Sequence, residues 1–315
     1  MIVIAGGSGQ LGREVTRRLV DRGLAVRVLT RDPRLARAAL AGSISADAVA
    51  GIEIVEADVR SPATLRAPVA GADVVVSAIQ GFGGREAGGL RAIDAQGNLA
   101  LIRAAVDGGV GGFVLLSMQG AGPAAALALA RAKGEAETAL RATTLLWTII
   151  RPSAYMETWA EIVGAPIVAT GRARVFGRGR TPIDFVAAAD VAAVVDQAVA
   201  ARAVVDPSLG GRVLEVRGPE ALTFEEVVSH FGTALGRSVP ISHVPRPALR
   251  LLSTVMRPIR PVLADQIAAA LIMDTVDLTG HGALSDIGRQ TTTFGSVIRA
   301  YLERASASSL SVPSG

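Results

Sequence analysis

Short apolar, β-branched runs alternate with helical patterns over the first 152 residues. Six runs are predicted to be strands: MIVIAG, AVRVLT, GIEIVEAD, ADVVVSAI, GFVLLSM and LWTIIRP. Between the first two, Leu11, Val15 and Leu19 fall at helical spacing, with arginines on the opposite face. Further helices are predicted at 87–108 and 124–142. This alternation is typical of an α/β protein with a doubly wound parallel sheet that helices cover on both faces.

The pattern loosens after Pro152, and a smaller mixed lobe is predicted there. GRARVFGRGRTPIDFV has the pattern of a short hairpin, AAADVAAVVDQAVA of a helix, GRVLEVRGPE of a strand, and TFEEVVSHFGTALG of a helix capped by Thr223. Residues 246–277 are predicted to be helical and divided by prolines, and a packed lobe helix is favoured over one lying on a membrane surface. We therefore expect a domain over 1–152, a lobe over 153–304 interleaved with the end of the sheet, and a disordered tail over 305–315.

Composition and charge exclude several classes of function. The 315 residues include no cysteine, which excludes cysteine-based redox or metal chemistry, and the three scattered histidines do not suggest a metal site. The net charge is +4, but the arginines are spread along the chain with few aromatic residues among them, so nucleic-acid binding is not expected. No apolar run reaches about 18 residues, so no transmembrane helix is expected. The N-terminus lacks a basic leader, and we predict that it is the first strand of a cytoplasmic protein.

A glycine-rich turn follows the first predicted strand. In IVIAGGSGQLGREV, three glycines are spaced G-x-x-G-x-x-G between a strand and a helix. The first allows a tight turn, the second lets the backbone approach a pyrophosphate, and the third lets the helix pack close to the strand. The unpaired N–H groups at the start of the helix attract phosphate, so a bound dinucleotide is favoured over a tight turn without a ligand. The predicted contacts are Gly6, Ser8, Gly9, Gln10, Leu11 and Gly12.

The end of the second predicted strand indicates which nicotinamide dinucleotide to expect. A carboxylate there binds the free ribose hydroxyl of NAD(H) and would repel the 2′-phosphate of NADP(H). Here the stretch is VRVLTRDP, with Arg31 in that place and Asp32 one position later. Because a guanidinium can hold a phosphate with two hydrogen bonds, NADP(H) is favoured over NAD(H). The alternative is that Arg31 is a solvated loop charge.

Several motifs together resemble a known family. They are, in order, AGGSGQLG, VRVLTRDP, EADVRSP, NLALIRAAVDGGVGGFVLLS, a lysine before GEAE, TIIRPSAYMETW, DFVAAADVAAVV and LEVRGPEALTFEEV. Over roughly residues 1–240 the sequence resembles the NmrA-like branch of the atypical short-chain dehydrogenase/reductases. The resemblance implies an NAD(P)-binding Rossmann domain over 1–152 and a substrate pocket lined by the RPSAYMETW stretch.

The resemblance also implies cofactor contacts beyond the glycine turn. The adenine is expected at the end of the third strand, and the nicotinamide ribose near the end of the fourth strand and the lysine. The ends of the fourth to sixth strands contribute further positions, because open α/β sheets bind ligands at that edge. The full set is Asp58 and Val59 for the adenine, Ala78, Ile79 and Lys133 for the ribose, and Gln80, Ser117 and Pro152 at strand ends.

Departures from the family pattern bear directly on the chemistry. The catalytic short-chain enzymes have a tyrosine four residues before the lysine and a serine after the fifth strand, where this chain has Leu129 and Met118. The mechanism of those enzymes, in which the tyrosine serves as the acid or base, is therefore excluded. Lys133 is the only lysine among the 32 Lys and Arg residues, and a compact ammonium is not interchangeable with a planar guanidinium. It is predicted to act catalytically, as a proton donor, or to bind the ribose, with chance as the third interpretation.

Tyr155 is a second catalytic candidate. It follows Arg151 and Pro152 into the predicted pocket, where its hydroxyl could donate a proton. A tyrosine in such a stretch more often packs with its hydroxyl satisfied, and that interpretation is favoured.

Two functions fit these residues. The leading prediction is an NADPH-dependent oxidoreductase that reduces a small, fairly apolar carbonyl, quinone or conjugated alkene without the usual Tyr-Lys pair. The alternative is a non-catalytic NAD(P)(H) sensor that binds a partner protein, since the missing tyrosine fits both. The expected ligand is a small-molecule substrate, with no nucleic acid and no membrane, and the oligomeric state is left open, a homodimer being one option.

Overall fold

The computed structural model describes residues 1–81, 89–203, 211–280 and 291–310. The strands are β1 (Ile2–Ala5), β2 (Val26–Thr30), β3 (Glu53–Glu56), β4 (Val74–Ser77), β5 (Gly112–Leu116), β6 (Leu146–Pro152), β7 (Ala173–Phe176), β8 (Ile183–Asp184), β9 (Arg212–Val216), β10 (Ala221–Leu222) and β11 (Ile241–Val244). The helices are α1 (Gln10–Asp21), α2 (Pro33–Ala41), α3 (Ala46–Ala50), α4 (Arg66–Val69), α5 (Asn98–Asp107), α6 (Ala128–Arg141), α7 (Met156–Thr170), α8 (Ala188–Ala203), α9 (Phe224–Leu235), α10 (Arg246–Met256), α11 (Pro261–Met273) and α12 (Phe294–Leu310). A π-helical turn at Arg91–Gly97 leads directly into α5.

Seven strands form one parallel sheet, in the order β3-β2-β1-β4-β5-β6-β9. Val3 of β1 lies between Arg27 of β2 and Val75 of β4. β1, β4 and β5 are buried along their whole length, as expected where helices cover both faces of a parallel sheet. The predicted α/β class with a doubly wound Rossmann sheet is confirmed. The strand order reverses between β1 and β4, and sheets of this kind bind ligands at the carboxyl ends of the strands beside that point.

The first of two compact units contains Met1–Pro152 and Val191–Glu215. Its core includes Leu101 of α5, Phe113 of β5 and Leu140 of α6. The later segment supplies β9, and the N–H of Gly211, just before that strand, donates to the carbonyl oxygen of Trp147 in β6 at 2.8 Å. The first unit therefore includes a segment beyond the predicted 1–152 range.

The second unit contains Ser153–Asp190 and the described residues from Val216 onward. Its core includes three aromatic rings, with the centroid of Phe185 5.0 Å from that of Phe294 and 5.8 Å from that of Phe224. The predicted cap of α9 is confirmed, because the hydroxyl of Thr223 accepts the N–H of Glu226 at 3.2 Å.

The predicted hairpin in GRARVFGRGRTPIDFV is wrong. β7 pairs in parallel with β11, whereas β8 pairs antiparallel with β10. The link between β7 and β8 is held by Asp274, whose carboxylate accepts the N–H groups of Arg178 and Gly179, each at 2.8 Å. Asp274 also forms an ion pair with Arg246. A buried carboxylate from a distant part of the chain thus replaces the pairing that the local pattern predicts.

The C-terminal helices differ from the predictions in two places. α12 extends to Leu310, so the predicted disordered tail is helical over residues 305–310, where alanines favour a helix and the hydroxyl of Ser306 donates to the carbonyl oxygen of Leu302 at 2.9 Å. The rest of that tail lies outside the described residues, as do the first two positions of the helix predicted at 87–108. α10 buries Leu249, but much of its apolar face is exposed. Within the described ranges, no helix has the length and apolar character needed to cross a membrane.

Candidate functional site

The glycine turn lies between β1 and α1, beside the end of β4. Gly6 has a φ of +83°, and a Cβ at this residue would lie 2.7 Å from the carbonyl oxygen of Ala78. A Cβ on Gly12 would lie 2.0 Å from the carbonyl oxygen of Gly6. Both positions therefore need glycine for close packing. Gly9 is different, because it is exposed and a Cβ there would come no closer than 3.3 Å to a neighbour, the oxygen of Gly6.

The start of α1 is suited to an anion. Gly9 is its N-cap residue and provides no side-chain cap, and the first turn contains no acidic residue. The N–H groups and the positive end of the helix dipole are therefore not offset by a local carboxylate. Ser8, Gln10 and Leu11 all keep exposed surface around this turn. A cradle of this kind fits the pyrophosphate of a dinucleotide.

The residues after β2 have distinct roles. The carboxylate of Asp32 caps α2 by accepting the N–H groups of Arg34 at 2.9 Å and Leu35 at 3.0 Å. Arg31 is exposed at the end of the strand. Asp32, the carboxylate nearest to the end of β2, is therefore already bonded at the start of α2. Arg31 occupies the position that would face the 2′ group of a ribose.

Asp58, at the end of β3, is held by an arginine. Both of its carboxylate oxygens accept hydrogen bonds from the guanidinium of Arg60, at 2.6–3.0 Å. These bonds hold the pKa of Asp58 below its usual range, and the charge of Arg31 adds a smaller effect. Asp58 therefore stays ionised at neutral pH.

Lys133, on α6, is buried, with only 3% of its surface exposed. Its Nζ donates to the carbonyl oxygen of Ile79 at 2.8 Å and lies 3.1 Å from Oδ1 of Asp94. The second contact is an ion pair by distance but lacks hydrogen-bond geometry, so Oδ1 of Asp94 has no aligned donor within the part of the chain that the structure describes. Asp94 is fully buried, and its Oδ2 accepts the N–H of Gly81 at 2.9 Å. The single lysine of the chain is therefore one half of a buried ion pair beside the end of β4.

Two further side chains extend this buried network. The amide nitrogen of Asn98 donates to the carbonyl oxygen of Asp94 at 2.8 Å, and its oxygen accepts the hydroxyl of Ser77 at 2.6 Å. Asp94 lies in the π-helical turn, a rare element that is often found at functional sites. The network joins the end of β4 to the π turn and to α6, which fixes the backbone where a ribose is expected.

A second buried polar cluster lies one turn further along α6. The carboxylate of Glu137 accepts the hydroxyl of Ser117 at 2.5 Å and two N–H groups of Arg151 at 2.7 and 2.8 Å. Arg151 also donates to Glu215 at 3.3 Å. The hydroxyl of Ser117 is thus engaged within the protein, and its predicted contact with the cofactor stays a prediction. Leu129, in the place of the usual tyrosine, is a buried residue one turn before Lys133.

Tyr155 is the N-cap residue of α7, in the second unit. Desolvation of its hydroxyl raises the pKa well above the usual value for tyrosine, and the charge of Glu157 adds to the shift. The phenol therefore stays protonated at physiological pH. It can donate a hydrogen bond, but it cannot act as a base.

The predicted cofactor-binding residues all belong to the first unit. They follow the carboxyl ends of β1 to β5, end β6, or lie on α1 or α6. Sequence reasoning missed their buried partners Asp94, Asn98 and Glu137. A signal for the first two was present, because they fall four and eight residues after Leu90, on the same helical stripe as the buried Leu101.

Comparison with known proteins identifies the family. A family model described as NAD(P)H-binding matches residues 6–202, and the chain belongs to this family. Its predicted place in the NmrA-like branch of the atypical short-chain dehydrogenase/reductases is confirmed.

Individual relatives share most of the chain. An NAD(P)H azoreductase of Xenophilus azovorans is 29% identical over 239 residues, which are 76% of this chain and 75% of the relative. The photosystem II assembly factor Ycf39 of Synechocystis sp. is 28% identical over 256 residues, 81% of this chain and 74% of the relative. The NADPH complex of an NADPH-dependent quinone oxidoreductase from Escherichia coli has the same fold, with a TM-score of 0.71, 23% identity, and coverage of 96% of this chain and 100% of that one.

Proposed function

We propose that this protein, an NAD(P)H-dependent oxidoreductase, uses NADP(H) in preference to NAD(H) to reduce a small, fairly apolar carbonyl, quinone or conjugated alkene. The observation that carries the cofactor preference is the geometry after β2. Asp32 is engaged as the cap of α2, and the position before it holds the exposed Arg31, whose guanidinium would bind a 2′-phosphate. A bidentate guanidinium would favour NADP(H), whereas a carboxylate in that place would favour NAD(H).

The residues present fit such a cofactor. The N–H groups around Gly9 would hold the pyrophosphate, Asp58 and Val59 would lie at the adenine, and Ala78 and Ile79 at the nicotinamide ribose. When bound, NADPH would supply a hydride to an electrophilic atom of the substrate. We infer a ribose-holding role for Lys133, because its Nζ lies 3.1 Å from Oδ1 of Asp94 and its bond to the carbonyl oxygen of Ile79 fixes the backbone there.

The absence of the usual tyrosine narrows the range of substrates that the protein could reduce. A simple ketone develops a localised alkoxide during reduction and needs a nearby acid, whereas a quinone spreads the new charge over an aromatic ring and depends less on one. Leu129 and the buried Lys133 offer little acid catalysis, so a quinone is favoured within the proposed class. The azoreductase and quinone oxidoreductase relatives support this direction.

The test is a turnover assay. The protein is incubated with NADPH and, in parallel, a soluble quinone, an azo dye, a conjugated enone and a simple ketone, and oxidation of the nicotinamide is followed by absorbance. We expect kcat/KM to be highest for the quinone, with NADPH preferred over NADH. Tight NADPH binding without turnover of any acceptor would contradict the enzymatic proposal.

A second variant series separates the two roles of Lys133. Lys133→Met is combined with Asp94→Asn so that no buried charge is left unpaired. Weaker NADPH binding with little further loss of turnover at saturation would support ribose holding. Unchanged binding with turnover lowered by about 10²-fold would assign proton donation instead.

The alternative function is a non-catalytic NAD(P)(H) sensor that binds a partner protein. It is favoured by Leu129 in the tyrosine place and by the relative that is named as an assembly factor. It predicts NADPH binding without turnover, and affinity for a partner that changes when NADPH is replaced by NADP⁺. Acceptor turnover in the assay above would exclude it as the main function.

A further inference from the structure

The apolar face of α10 points to solvent rather than to the core. Ala248, Leu251, Leu252 and Val255 follow the spacing i, i+3, i+4 and i+7, so they form one stripe along the helix, and Ile259 lies in the turn that follows it. Leu251 is 68% exposed and Ile259 is 67% exposed. Only Leu249, at the edge of the stripe, is fully buried among the leucines of this helix. A helix packed in a lobe would show the opposite arrangement.

The charge around this stripe is of one sign. From Arg246 to Ala264 the sequence contains four arginines and no acidic residue. Arg246 is engaged with Asp274, and Arg257 lies 3.8 Å from Asp265, while Arg250 and Arg260 are exposed. On a helical projection of α10, Arg246 and Arg250 fall on the side away from the exposed leucines, and Arg257 and Arg260 lie between α10 and α11. A basic face opposite an exposed aliphatic face is typical of helices that lie in a membrane interface.

We propose that α10, the turn that follows it and the exposed Leu263 at the start of α11 dock on an anionic lipid surface. The aliphatic stripe would enter the boundary between headgroups and acyl chains. The long arginine side chains would reach up to the phosphates. The exposed stripe is contiguous, whereas apolar residues on an ordinary protein surface are scattered singly.

A lipid surface fits the charges better than a second copy of this chain. In a twofold contact each copy would bring its own arginines and no carboxylate from this segment to balance them. Anionic headgroups would supply the missing negative charge, and each arginine near the lipid surface would raise the binding affinity about 5-fold. This inference does not depend on the proposed reductase activity, although it would place the protein beside lipid-soluble substrates.

The test is flotation of the whole chain with vesicles of phosphatidylcholine alone or mixed with phosphatidylglycerol. We expect binding to the mixed vesicles, weakening as salt is raised. The double variant L251Q/I259Q should lower the partition coefficient at least 10-fold, and R250Q/R260Q roughly 30-fold. Leu35→Gln is the matched control, because Leu35 is a similarly exposed leucine on α2, at 69%. Each variant is first checked for an unchanged thermal transition.

Three outcomes would overturn the proposal. The first is no flotation with either kind of vesicle. The second is equal loss of flotation in Leu35→Gln and L251Q/I259Q. The third is a dimer in analytical ultracentrifugation that L251Q/I259Q converts to a monomer, since the stripe would then be an interface between copies of this chain.

Discussion

The buried pair of Lys133 and Asp94 makes a quantitative prediction about stability. Lys133→Met removes the ammonium and leaves Asp94 as a fully buried carboxylate. Among the described residues, one of its oxygens then faces no donor and the other accepts only the N–H of Gly81. The carbonyl oxygen of Ile79 also loses its donor. Breaking a buried ion pair from one side costs about 3–5 kcal/mol of unfolding free energy. We expect a loss in this range.

Neutralising the second partner should restore most of that stability. In Lys133→Met/Asp94→Asn the amide oxygen can still accept the N–H of Gly81, and no uncompensated charge remains in the interior. Replacing a buried pair by neutral groups is often close to neutral in free energy. We therefore expect the double variant to be at least about 2 kcal/mol more stable than the single variant.

The assay can be restricted to the unit that contains the pair. The chain has two tryptophans, Trp147 in the first unit and Trp159 in the second. In a Trp159→Phe background, fluorescence during urea unfolding therefore reports the first unit alone. Arg17→Met is the control, because Arg17 is paired with Glu14 and Asp21 on the surface and its loss should cost no more than about 1 kcal/mol.

Two results would refute the reasoning. One is a loss below about 1 kcal/mol in Lys133→Met, which would mean that Asp94 is solvated once the lysine is gone. The other is a double variant no more stable than the single one, which would mean that the lysine stabilises through packing rather than through its charge.

Three further predictions concern the cofactor site and the second unit. Arg31→Asp should weaken NADPH binding about 10- to 100-fold and remove the preference over NADH, measured by fluorescence titration. Gly9→Val should abolish NADPH binding with little change in the melting temperature. Gly12→Ala should lower the melting temperature, because a Cβ on Gly12 would lie 2.0 Å from the carbonyl oxygen of Gly6. Burial opposes ionisation of Asp274, but the N–H groups of the β7–β8 link and Arg246 outweigh it and lower its pKa. The stability that Asp274 contributes is therefore present above the pKa of the unfolded state, about 3.9, and is lost as the pH falls further. Asp274→Asn should remove this pH dependence from unfolding curves measured between pH 6 and about 2.

Each of these predictions has a contradicting result and a control. Equal affinity of the unmodified protein for NADPH and NADH would contradict the role of Arg31, and Arg66→Ala, an exposed arginine on α4, controls for charge. Unchanged NADPH affinity in Gly9→Val would place the pyrophosphate elsewhere. An Asp274→Asn protein with the same acid dependence as the original would assign that dependence to other carboxylates.

The sheet and the glycine turn were predictable because their causes are local. Fully apolar runs such as those of β1 and β4 are buried strands in any α/β protein, and the glycine spacing specifies a tight turn and a close helix. Lys133 stood out by composition, but its partner did not, because the pairing with Asp94 depends on tertiary contact across 39 residues of chain. The absence of a β7–β8 hairpin has the same origin, since Asp274 is about a hundred residues away.

The orientation of α10 was not predictable either. Its periodicity indicates an amphipathic helix, and periodicity alone does not say which face meets the core. The structure turns the arginine face away from the exposed leucines and leaves the leucines uncovered. Within the segment 246–277 that was predicted to pack in the lobe, α11 buries Ala264, Ile267 and Ala270, whereas α10 buries Leu249 and leaves Leu251 and Leu252 exposed.

β9 begins at Arg212, 60 residues after the end of β6 at Pro152, so it can join the sheet only after the ribosome has added that intervening chain. A nascent or engineered chain that stops at Pro152 would therefore present β6 as an open edge, with its backbone groups unpaired and Arg151 without Glu215. Such a fragment is expected to be prone to aggregation although it contains the whole glycine turn. A minimal nucleotide-binding protein should instead join residues 1–152 to 191–215 by a short linker, which closes that edge with the strand the native protein uses.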